Sequence, residues 1–349
     1  MRMIRIGRML GSGRWRTLWA GAAALATVGA VGAVPPAVAL ASPQQAPNWT
    51  EQSPATSPPA LFAPAMAYDP DNGKAAVLFG GTTKSGNVVN NTWTWNGTTW
   101  SERHPATSPP ALLYPAMAYD AATGTVVLFG GSNSSSDFND TWTWNGTTWT
   151  EQHPATSPPA RAAAMMAYDG ATHTVVLFGG GSGTAGYLND TWSWNGTTWT
   201  QLQPATSPSA RDFASMAFDA ASHTMVLFGG ENGGGGDLGD TWTWNGTTWT
   251  KHPQAATSPP DRNLAYMAYD AATSTVLMFG GTSNTGDLND TWTWNGTAWT
   301  EQQPTNSPGA RWGGAIAYDA ATGNVVLFGG AAPVQIYYIT LLDDTWTWG

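Results

Sequence analysis

The chain has 349 residues, of which 42% are hydrophobic and only 10% charged, with 41 glycines, 24 prolines, 21 tryptophans and no cysteine. This length allows one large domain or two ordinary ones, and the lack of cysteine excludes a fold held together by disulfide bonds. The formal net charge of −10 opposes contact with phosphate backbones, so no nucleic-acid partner is expected.

Residues 1–41 have the pattern of a secretory signal peptide. Five arginines precede the apolar stretch 18–34, and "ALA" at 39–41 is typical of a cleavage site, which predicts cleavage after Ala41. A retained membrane anchor is the alternative, because 17 apolar residues are nearly enough to span a bilayer. Cleavage would leave 8 basic and 23 acidic residues, a net charge of −15. We expect a secreted, extracellular protein with no inserted segment, and the alanine- and glycine-rich leader favours a bacterial source.

The rest of the chain repeats one unit of roughly 50 residues six times. The units align on the sequence "FGG", whose glycine pairs recur at steps of 50, 49, 50, 51 and 49 residues. A period near 50 is typical of propeller blades. The glycine pairs, which we expect to be structural, are Gly80 and Gly81, Gly130 and Gly131, Gly179 and Gly180, Gly229 and Gly230, Gly280 and Gly281, and Gly329 and Gly330.

Each unit contains four strand-like segments, which in the third unit are "AMMAYD" (164–169), "TVVLFGG" (174–180), "DTWSWNG" (190–196) and "TTWTQL" (197–202). The dipeptide "NG" predicts a two-residue hairpin turn between the last two segments, because Asn and Gly tolerate positive φ. Large residues and alanine alternate along the first segment, which predicts faces that nest between neighbouring blades. The tryptophan stripes are interpreted as core rather than as a ligand cage.

A hydrophobic strand ending in Gly-Gly, an Asp-x-Trp strand and a further tryptophan soon afterwards resemble the kelch repeat. The resemblance covers residues 48–349 and implies an all-β, six-bladed kelch-type β-propeller, similar to the central domain of galactose oxidase. The implied blades span approximately 60–103, 111–153, 161–203, 211–252, 261–303 and 311–349. The motif aspartates expected to be structural are Asp140, Asp190, Asp240, Asp290 and Asp344.

The two ends of the repeated region each carry part of one unit. The sixth unit stops at "DDTWTWG", whereas residues 48–59, "NWTEQSPATSPP", resemble the end of a unit, "TWTEQHPATSPP" (148–159). We expect residues 48–53 to complete blade six, with Trp49 beside Trp346 and Trp348. Pairing the first strand with the last would close the ring and remove a sheet edge.

The two rims of such a propeller differ in sequence. The turns on one rim are nearly constant, whereas the loops after the "FGG" strands vary strongly on the other, which we call the variable rim. Variable loops on a rigid scaffold usually carry function, so we expect any ligand at the channel mouth on the variable rim. The longest loop, "AAPVQIYYITLLD" (331–343), is apolar and suits a docking surface or a plug over the mouth.

Candidate ligand-binding side chains lie at the start of each first strand, beside this mouth. Four equivalent arginines can receive a carboxylate or polarise a sugar hydroxyl, while Leu61 and Leu112 replace them in two units. These arginines are Arg161, Arg211, Arg262 and Arg311. The structural alternative pairs each arginine with an Asp-x-Trp aspartate, such as Asp190 or Asp240.

Aromatic residues near the same mouth suit stacking against carbohydrate, or else fill gaps at the blade tops. The candidates are Phe62, Tyr114, Phe213, Tyr266 and Trp312, with Tyr187, Tyr337 and Tyr338 in nearby loops.

These features favour a secreted, monomeric, non-catalytic binding or scaffold module for carbohydrate or an extracellular protein, with no cofactor and no metal. Kelch copper radical oxidases need a cysteine cross-linked to tyrosine, so that activity is excluded. The sequence "DPDNG" (69–73) is interpreted as a hairpin turn rather than a calcium loop. The enzymatic alternative resembles kelch-type sugar epimerases or mutarotases, with Asp212 and Glu231 as the acid–base pair beside Arg211. A purely structural surface protein is a third possibility.

Overall fold

The computed structural model describes residues 47–255, 257–335 and 338–349, so the predicted signal peptide lies outside the described residues. The described residues form six four-stranded antiparallel sheets and two short two-stranded pairings. Each innermost strand lies against those of both neighbouring sheets, and the first lies against the sixth, so the sheets surround a common axis. The predicted all-β, six-bladed propeller is confirmed.

Within each blade the strands run in order from the axis outwards, and we call them inner, second, third and outer. The inner strands are Ala65–Asp69, Ala116–Asp120, Met165–Asp169, Ser215–Asp219, Tyr266–Asp270 and Ala315–Asp319. The second strands are Ala75–Phe79, Thr125–Phe129, Thr174–Ser182, Thr224–Phe228, Thr275–Phe279 and Asn324–Gln335.

The third and outer strands carry the repeated tryptophans. The third strands are Thr92–Trp95, Thr141–Trp144, Gly186–Trp194, Thr241–Trp244, Thr291–Trp294 and Tyr338–Trp348. The outer strands are Trp100–Arg103, Trp149–Gln152, Trp199–Leu202, Trp249–Lys251, Trp299–Gln302 and, for blade six, Trp49–Gln52. The short pairings join Leu61–Phe62 to Thr82–Thr83 and Thr282–Ser283 to Gly286–Asp287.

The alternation along the inner strands packs the blades against one another as expected. Met166 of blade three lies in one buried cluster with Ala116 and Ala118 of blade two. Met216 of blade four lies in a buried cluster with Ala167 of blade three. A large side chain on one blade therefore fills the space left by alanine on the next, which keeps neighbouring inner strands close.

The hairpin turn between the third and outer strands is centred one residue later than predicted. Trp194 pairs with Trp199, and the N–H of Asn195 donates to the carbonyl oxygen of Thr198 at 3.3 Å. The two central residues are thus Gly196, with a φ of 95°, and Thr197. Asn195 stabilises the turn through its side chain, whose oxygen accepts the N–H of Thr197 at 3.1 Å and of Thr198 at 2.9 Å.

The N-terminal strand completes blade six, as predicted. Trp49 pairs with Trp348 and Gln52 with Thr345, in antiparallel register. The Trp49 side chain is fully buried, and its indole N–H donates to the hydroxyl of Thr291 in blade five at 3.0 Å. The first and last of the described strands therefore share one sheet, and blade six has no missing strand.

Buried tryptophan–threonine hydrogen bonds join the outer part of each blade to its neighbour. In every blade the tryptophan that opens the outer strand donates to a threonine in the third strand of the preceding blade, at 2.8–3.0 Å. The pairs are Trp100 and Thr345, Trp149 and Thr92, Trp199 and Thr141, Trp249 and Thr191, Trp299 and Thr241, and Trp49 and Thr291. We call this set the tryptophan ring.

The glycine pairs that end the second strands allow the backbone to turn within a crowded contact. Gly229 has a φ of 69° and Gly230 a φ of 98°, a region that favours glycine. A Cβ on Gly230 would lie 2.6 Å from the carbonyl oxygen of Asp212. These glycines are therefore required both for conformation and for the close approach of the segment that leads into the inner strand.

Candidate functional site

The variable rim is formed where the second strands lead into the third strands. In blades three and six these two strands continue past the glycine pair as one hairpin, with pairing as far as Ser182 and Gly186 and as far as Gln335 and Tyr338. The segment 331–343, predicted as a loop, is therefore mostly paired backbone. Its exposed Ile339 makes this hairpin the more apolar of the two.

Six equivalent residues form a closed belt of backbone hydrogen bonds at the variable-rim mouth. Each has a φ between 51° and 65°, and its N–H donates to the carbonyl oxygen of its equivalent in the preceding blade at 2.6–3.3 Å. The blade-one member donates to blade six, so the belt is continuous. Its members, which we call the mouth belt, are Ala63, Tyr114, Ala163, Phe213, Leu264 and Gly313.

The mouth belt narrows the predicted channel. A recess of about 130 Å³ lies at the belt, lined by its members and by the residues that follow them. A cavity of about 210 Å³ lies further along the axis between the inner strands. Methionines of five blades border this cavity: Met66, Met117, Met166, Met216 and Met267. A ligand at the mouth would therefore rest on the belt and meet the ends of several blades at once.

Three of the predicted aromatic residues meet over the belt. The ring centroids of Phe62 and Tyr114 are 5.7 Å apart, and those of Tyr114 and Phe213 are 4.9 Å apart, both in edge-to-face geometry. Phe62 also covers Gly313, where a Cβ would clash with its ring. All three residues are half-buried, and burial raises the pKa of the Tyr114 hydroxyl, so this tyrosine lies deeper in the mouth.

The other aromatic candidates are placed differently. Tyr266 is 3% exposed and its hydroxyl accepts the N–H of Gly314 at 3.0 Å, so it fills the blade interior, as the gap-filling alternative proposed. Trp312 is half-buried beside the blade-six hairpin. Tyr338 begins the third strand of blade six, and Tyr337 lies outside the described residues.

The four candidate arginines are buried in ion pairs inside their own blades. Arg161 donates to both carboxylate oxygens of Asp190 at 2.6 and 2.9 Å and to the carbonyl oxygen of Gly179 at 3.0 Å. The indole of Trp192 donates to the same carboxylate at 2.7 Å. The same contacts join Arg211 to Asp240, Arg262 to Asp290, and Arg311 to Asp344.

These contacts correspond to the structural alternative for the arginines. Each guanidinium group is turned into its blade and is at most 4% exposed, so it offers no donor at the mouth. Burial opposes ionisation of Asp190, but the hydrogen bonds and charge of Arg161 outweigh it, and the pKa of Asp190 lies below its usual range.

Blades one and two lack this arrangement. Leu61 and Leu112 occupy the arginine positions and are buried. Blade one has Asn91 in place of the aspartate. Blade two keeps an aspartate, Asp140, which forms no ion pair with any described residue. The buried indole nitrogens of Trp93 and Trp142 likewise have no hydrogen-bond partner among the described residues.

Two acidic residues pair within blade four, on the side that lies against blade three. The backbones of Asp212 and Glu231 exchange hydrogen bonds at 3.2 and 2.9 Å. Asp212 is 9% exposed, and Oδ1 of its carboxylate is buried with no hydrogen-bond partner among the described residues. Burial and the charge of Glu231 raise the pKa of Asp212 to about 7. Arg211 does not compensate this charge, because it is bound to Asp240.

Tyr187 extends the acidic pair across the blade boundary. Its hydroxyl donates to Oε1 of Glu231 at 3.2 Å from the third strand of blade three. Sequence reasoning proposed Asp212 and Glu231 as a pair but did not connect Tyr187 with them, because only the extended hairpin of blade three brings the tyrosine to this position.

The remaining sequence candidates form turns. Oδ1 of Asp69 accepts the N–H groups of Asp71 and Asn72 at 3.2 and 3.0 Å, which closes the "DPDNG" turn. Within the described ranges, no three His, Asp or Glu side chains are grouped to bind a metal ion. Nor does any described segment form a helix with the length and apolarity needed to cross a membrane.

The closed ring of four-stranded blades around a narrowed axis defines a β-propeller. The family model described as the KLHDC2/KLHL20/DRC7 Kelch-repeats domain matches residues 64–208 and 197–348, and the chain belongs to this Kelch-repeat family. A comparison with curated proteins gave no match. Membership in the family indicates a protein-binding or scaffold module.

Proposed function

We propose that this protein is a secreted, monomeric, non-catalytic binding module that holds an extracellular protein or a carbohydrate on the variable rim, at the channel mouth. The observation that carries the proposal is the cluster of three half-buried aromatic residues, Phe62, Tyr114 and Phe213, packed edge-to-face at the mouth belt. Flat, partly exposed rings held by edge-to-face contacts suit stacking against sugar C–H bonds or burial under an apolar side chain.

The rigidity of the mouth supports binding. Fixing a residue in the left-handed region costs roughly 1–2 kcal/mol when it carries a Cβ, and five members of the belt do so. The belt hydrogen bonds hold these residues in place, so the rings above them need little further ordering when a ligand arrives. A preorganised surface loses less conformational entropy on binding.

The test compares two half-buried phenylalanines of blade four, each replaced by alanine. Phe213 lies at the variable rim, and Phe218 lies at the opposite end of the inner strand. Alanine is tolerated at the Phe213 backbone conformation, because Ala63 and Ala163 adopt it in other blades. Wild type and both variants would be applied to a glycan array and to an array of extracellular protein fragments.

We expect a ligand on one array, bound at least about tenfold more weakly by Phe213→Ala, a loss of about 1.4 kcal/mol, and unchanged by Phe218→Ala. Equal binding by the two variants would place the ligand away from the mouth and contradict the proposal. Silence on both arrays would favour the purely structural alternative.

A second candidate function is acid–base catalysis on a sugar, and the raised pKa of Asp212 favours it. With a pKa of about 7, Asp212 can hold and release a proton near neutral pH beside Glu231. Arg211 does not assist this acid–base pair, because its guanidinium group forms an ion pair with Asp240. Exchange of sugar anomers or epimers, followed by NMR, should then be lost in Asp212→Asn and in Glu231→Gln; retention in both would exclude this pair.

A further inference from the structure

We propose that Asp212 and Glu231 form a subsite for the guanidinium group of an arginine side chain presented by a protein partner. The inference rests on the proposed function, because it assigns the chemistry of a ligand that docks on the variable rim. It selects a protein partner over a carbohydrate.

Among the described residues, two acidic residues share a backbone bridge of this kind only at the start of blade four. The same backbone bridge recurs in the other five blades, where the paired side chains are uncharged. Those pairs are Phe62 and Thr82, Leu113 and Ser132, Ala162 and Gly181, Asn263 and Thr282, and Trp312 and Ala331. The acidic pair therefore departs from the repeat at one place, on the rim where the loops also vary.

When Asp212 is ionised, no described residue neutralises the charge of its carboxylate. Its Oδ1 has no hydrogen-bond donor within reach among the described residues, and its Oδ2 lies against the backbone of Gly181, whose missing side chain leaves room for it. A buried, unpaired anion is costly, and a bound cation would remove that cost. A bound cation would therefore stabilise the ionised carboxylate of Asp212, which lies behind the more exposed Glu231.

The surroundings suit a guanidinium group better than a metal ion or an ammonium group. Aromatic residues border the two carboxylates: the hydroxyl of Tyr187 donates to Glu231, and Tyr114, which packs edge-to-face with Phe213, lies near the charge of Asp212. A guanidinium group stacks on aromatic rings and donates several hydrogen bonds in one plane, which matches two carboxylates. A metal ion would need a third ligand, and the described residues group no three acidic or histidine side chains.

The charge of the whole propeller agrees with a basic partner. Residues 42–349 contain 23 acidic and 8 basic residues, and four of the basic ones are the arginines locked in ion pairs. Such an excess attracts cationic partners over long range and raises their association rate.

The experiment titrates the isotope-labelled protein with acetyl-Gly-Arg-Gly-amide at low ionic strength and follows backbone amide shifts by NMR. Parallel titrations use the citrulline peptide, which keeps the shape but removes the charge, and the lysine peptide. The site variant is Asp212→Asn with Glu231→Gln. The matched control is Asp261→Asn with Asp343→Asn, which removes two exposed carboxylates outside the acidic pair and changes the net charge equally.

We expect saturable shifts at Asp212, Glu231 and Tyr187 with the arginine peptide, weakened about tenfold or more in the site variant and unchanged in the control. The citrulline peptide should bind at least as weakly as the arginine peptide binds the site variant. Equal weakening in both double variants would reduce the effect to non-specific charge and overturn the subsite. A lysine peptide that binds as tightly as the arginine peptide would overturn the guanidinium assignment.

The two proposals fail separately. If the arrays reveal a ligand that depends on Phe213 while the arginine peptide shifts nothing near Asp212, the binding function stands and the subsite is wrong. If the arrays are silent and the peptide gives no shift, both are wrong.

Discussion

At the residue scale, the arginine–aspartate–tryptophan contact explains how four blades hold buried charge. Arg161 is fully buried, and its donors are used by Asp190, by the carbonyl oxygen of Gly179 and by that of Pro159. Removing one partner of such a fully hydrogen-bonded ion pair is costly, because the remaining partner keeps its charge in a poorly solvated place. Blade one avoids the problem by replacing both charged partners, with Leu61 and Asn91.

The first prediction uses that natural replacement. Arg161→Leu should lower the free energy of unfolding by roughly 3–5 kcal/mol, the usual cost of breaking one side of a buried ion pair. Arg161→Leu combined with Asp190→Asn copies the pair found in blade one and should recover part of the loss. Chemical denaturation measures both variants, and a double variant no more stable than the single one would contradict a charge-based role.

The second prediction concerns how the contribution of Asp212 to stability depends on pH. Its pKa is raised in the folded protein from 3.8 to about 7, so the folded state holds this proton more tightly than the unfolded state does. The contribution of Asp212 to stability is therefore greatest at acidic pH and declines as pH rises from about 4 to about 7. At about 1.4 kcal/mol per unit of pKa, the full decline is at most roughly 4 kcal/mol.

Asp212→Asn removes this titration while keeping the shape of the side chain. We expect the variant to unfold at a higher temperature than wild type at pH 8, with a smaller difference at pH 5. The control Asp343→Asn changes an exposed carboxylate and should shift the melting temperature little at either pH. A difference between Asp212→Asn and wild type that does not depend on pH would show that the carboxyl group is not held protonated.

At the element scale, neighbouring blades are joined by side-chain contacts as well as by the backbone hydrogen bonds of the mouth belt. In the tryptophan ring, the indole of Trp199 donates to Thr141 of the preceding blade at 2.9 Å, in a fully buried position. The ring of Phe129 also meets Trp199 edge-to-face, with centroids 5.2 Å apart. One outer-strand tryptophan thus links two sheets by packing and by a hydrogen bond.

The third prediction removes only the hydrogen bond. Thr141→Val keeps the volume but leaves the indole N–H of Trp199 buried and unpaired, which should cost about 1–3 kcal/mol. Thr150→Val, at an exposed site of the outer strand, serves as the control and should change stability by less than roughly 0.5 kcal/mol. Thermal denaturation of both variants tests this, and equal melting temperatures would show that the hydrogen bond is dispensable.

The blade elements could be predicted from the sequence because the same apolar and tryptophan spacing recurs in every unit. The mouth belt could not, since its positive φ values fall on Ala, Tyr, Phe and Leu, and only Gly313 signals such a conformation. The long hairpins of blades three and six were also missed, because their sequences differ from the other units and carry no strand alternation of their own.

The candidate site, too, could be predicted only in part from the sequence. The sequence placed Phe62, Tyr114 and Phe213 near one mouth, because they hold nearly equivalent positions in the repeat. It could not separate them from Tyr266, whose burial follows from a hydrogen bond to Gly314 of the next blade. The burial of Asp212 likewise depends on Gly181 in a neighbouring blade, a tertiary contact that spacing within one unit does not reveal.

At the scale of the whole molecule, the mouth belt and the tryptophan ring are both continuous across the junction between blades six and one. Ala63 donates to Gly313 at 2.6 Å near the axis, and Trp100 donates to Thr345 at 2.8 Å further out. Trp49 supplies the link from blade six to blade five. Since the rim loops rest on this closed ring, their geometry depends on the N-terminal strand.

The most direct measurement of ring closure is the thermal unfolding of the protein with and without the segment up to residue 53, followed by addition of a synthetic peptide of residues 47–59. Burial of Trp49 is worth up to roughly 4–6 kcal/mol, so the truncated protein should melt roughly 10 °C lower and aggregate through its open sheet edge. The peptide should restore the higher melting temperature by pairing with Thr345–Trp348. A truncated protein that melts like the intact one would contradict closure by the N-terminal strand.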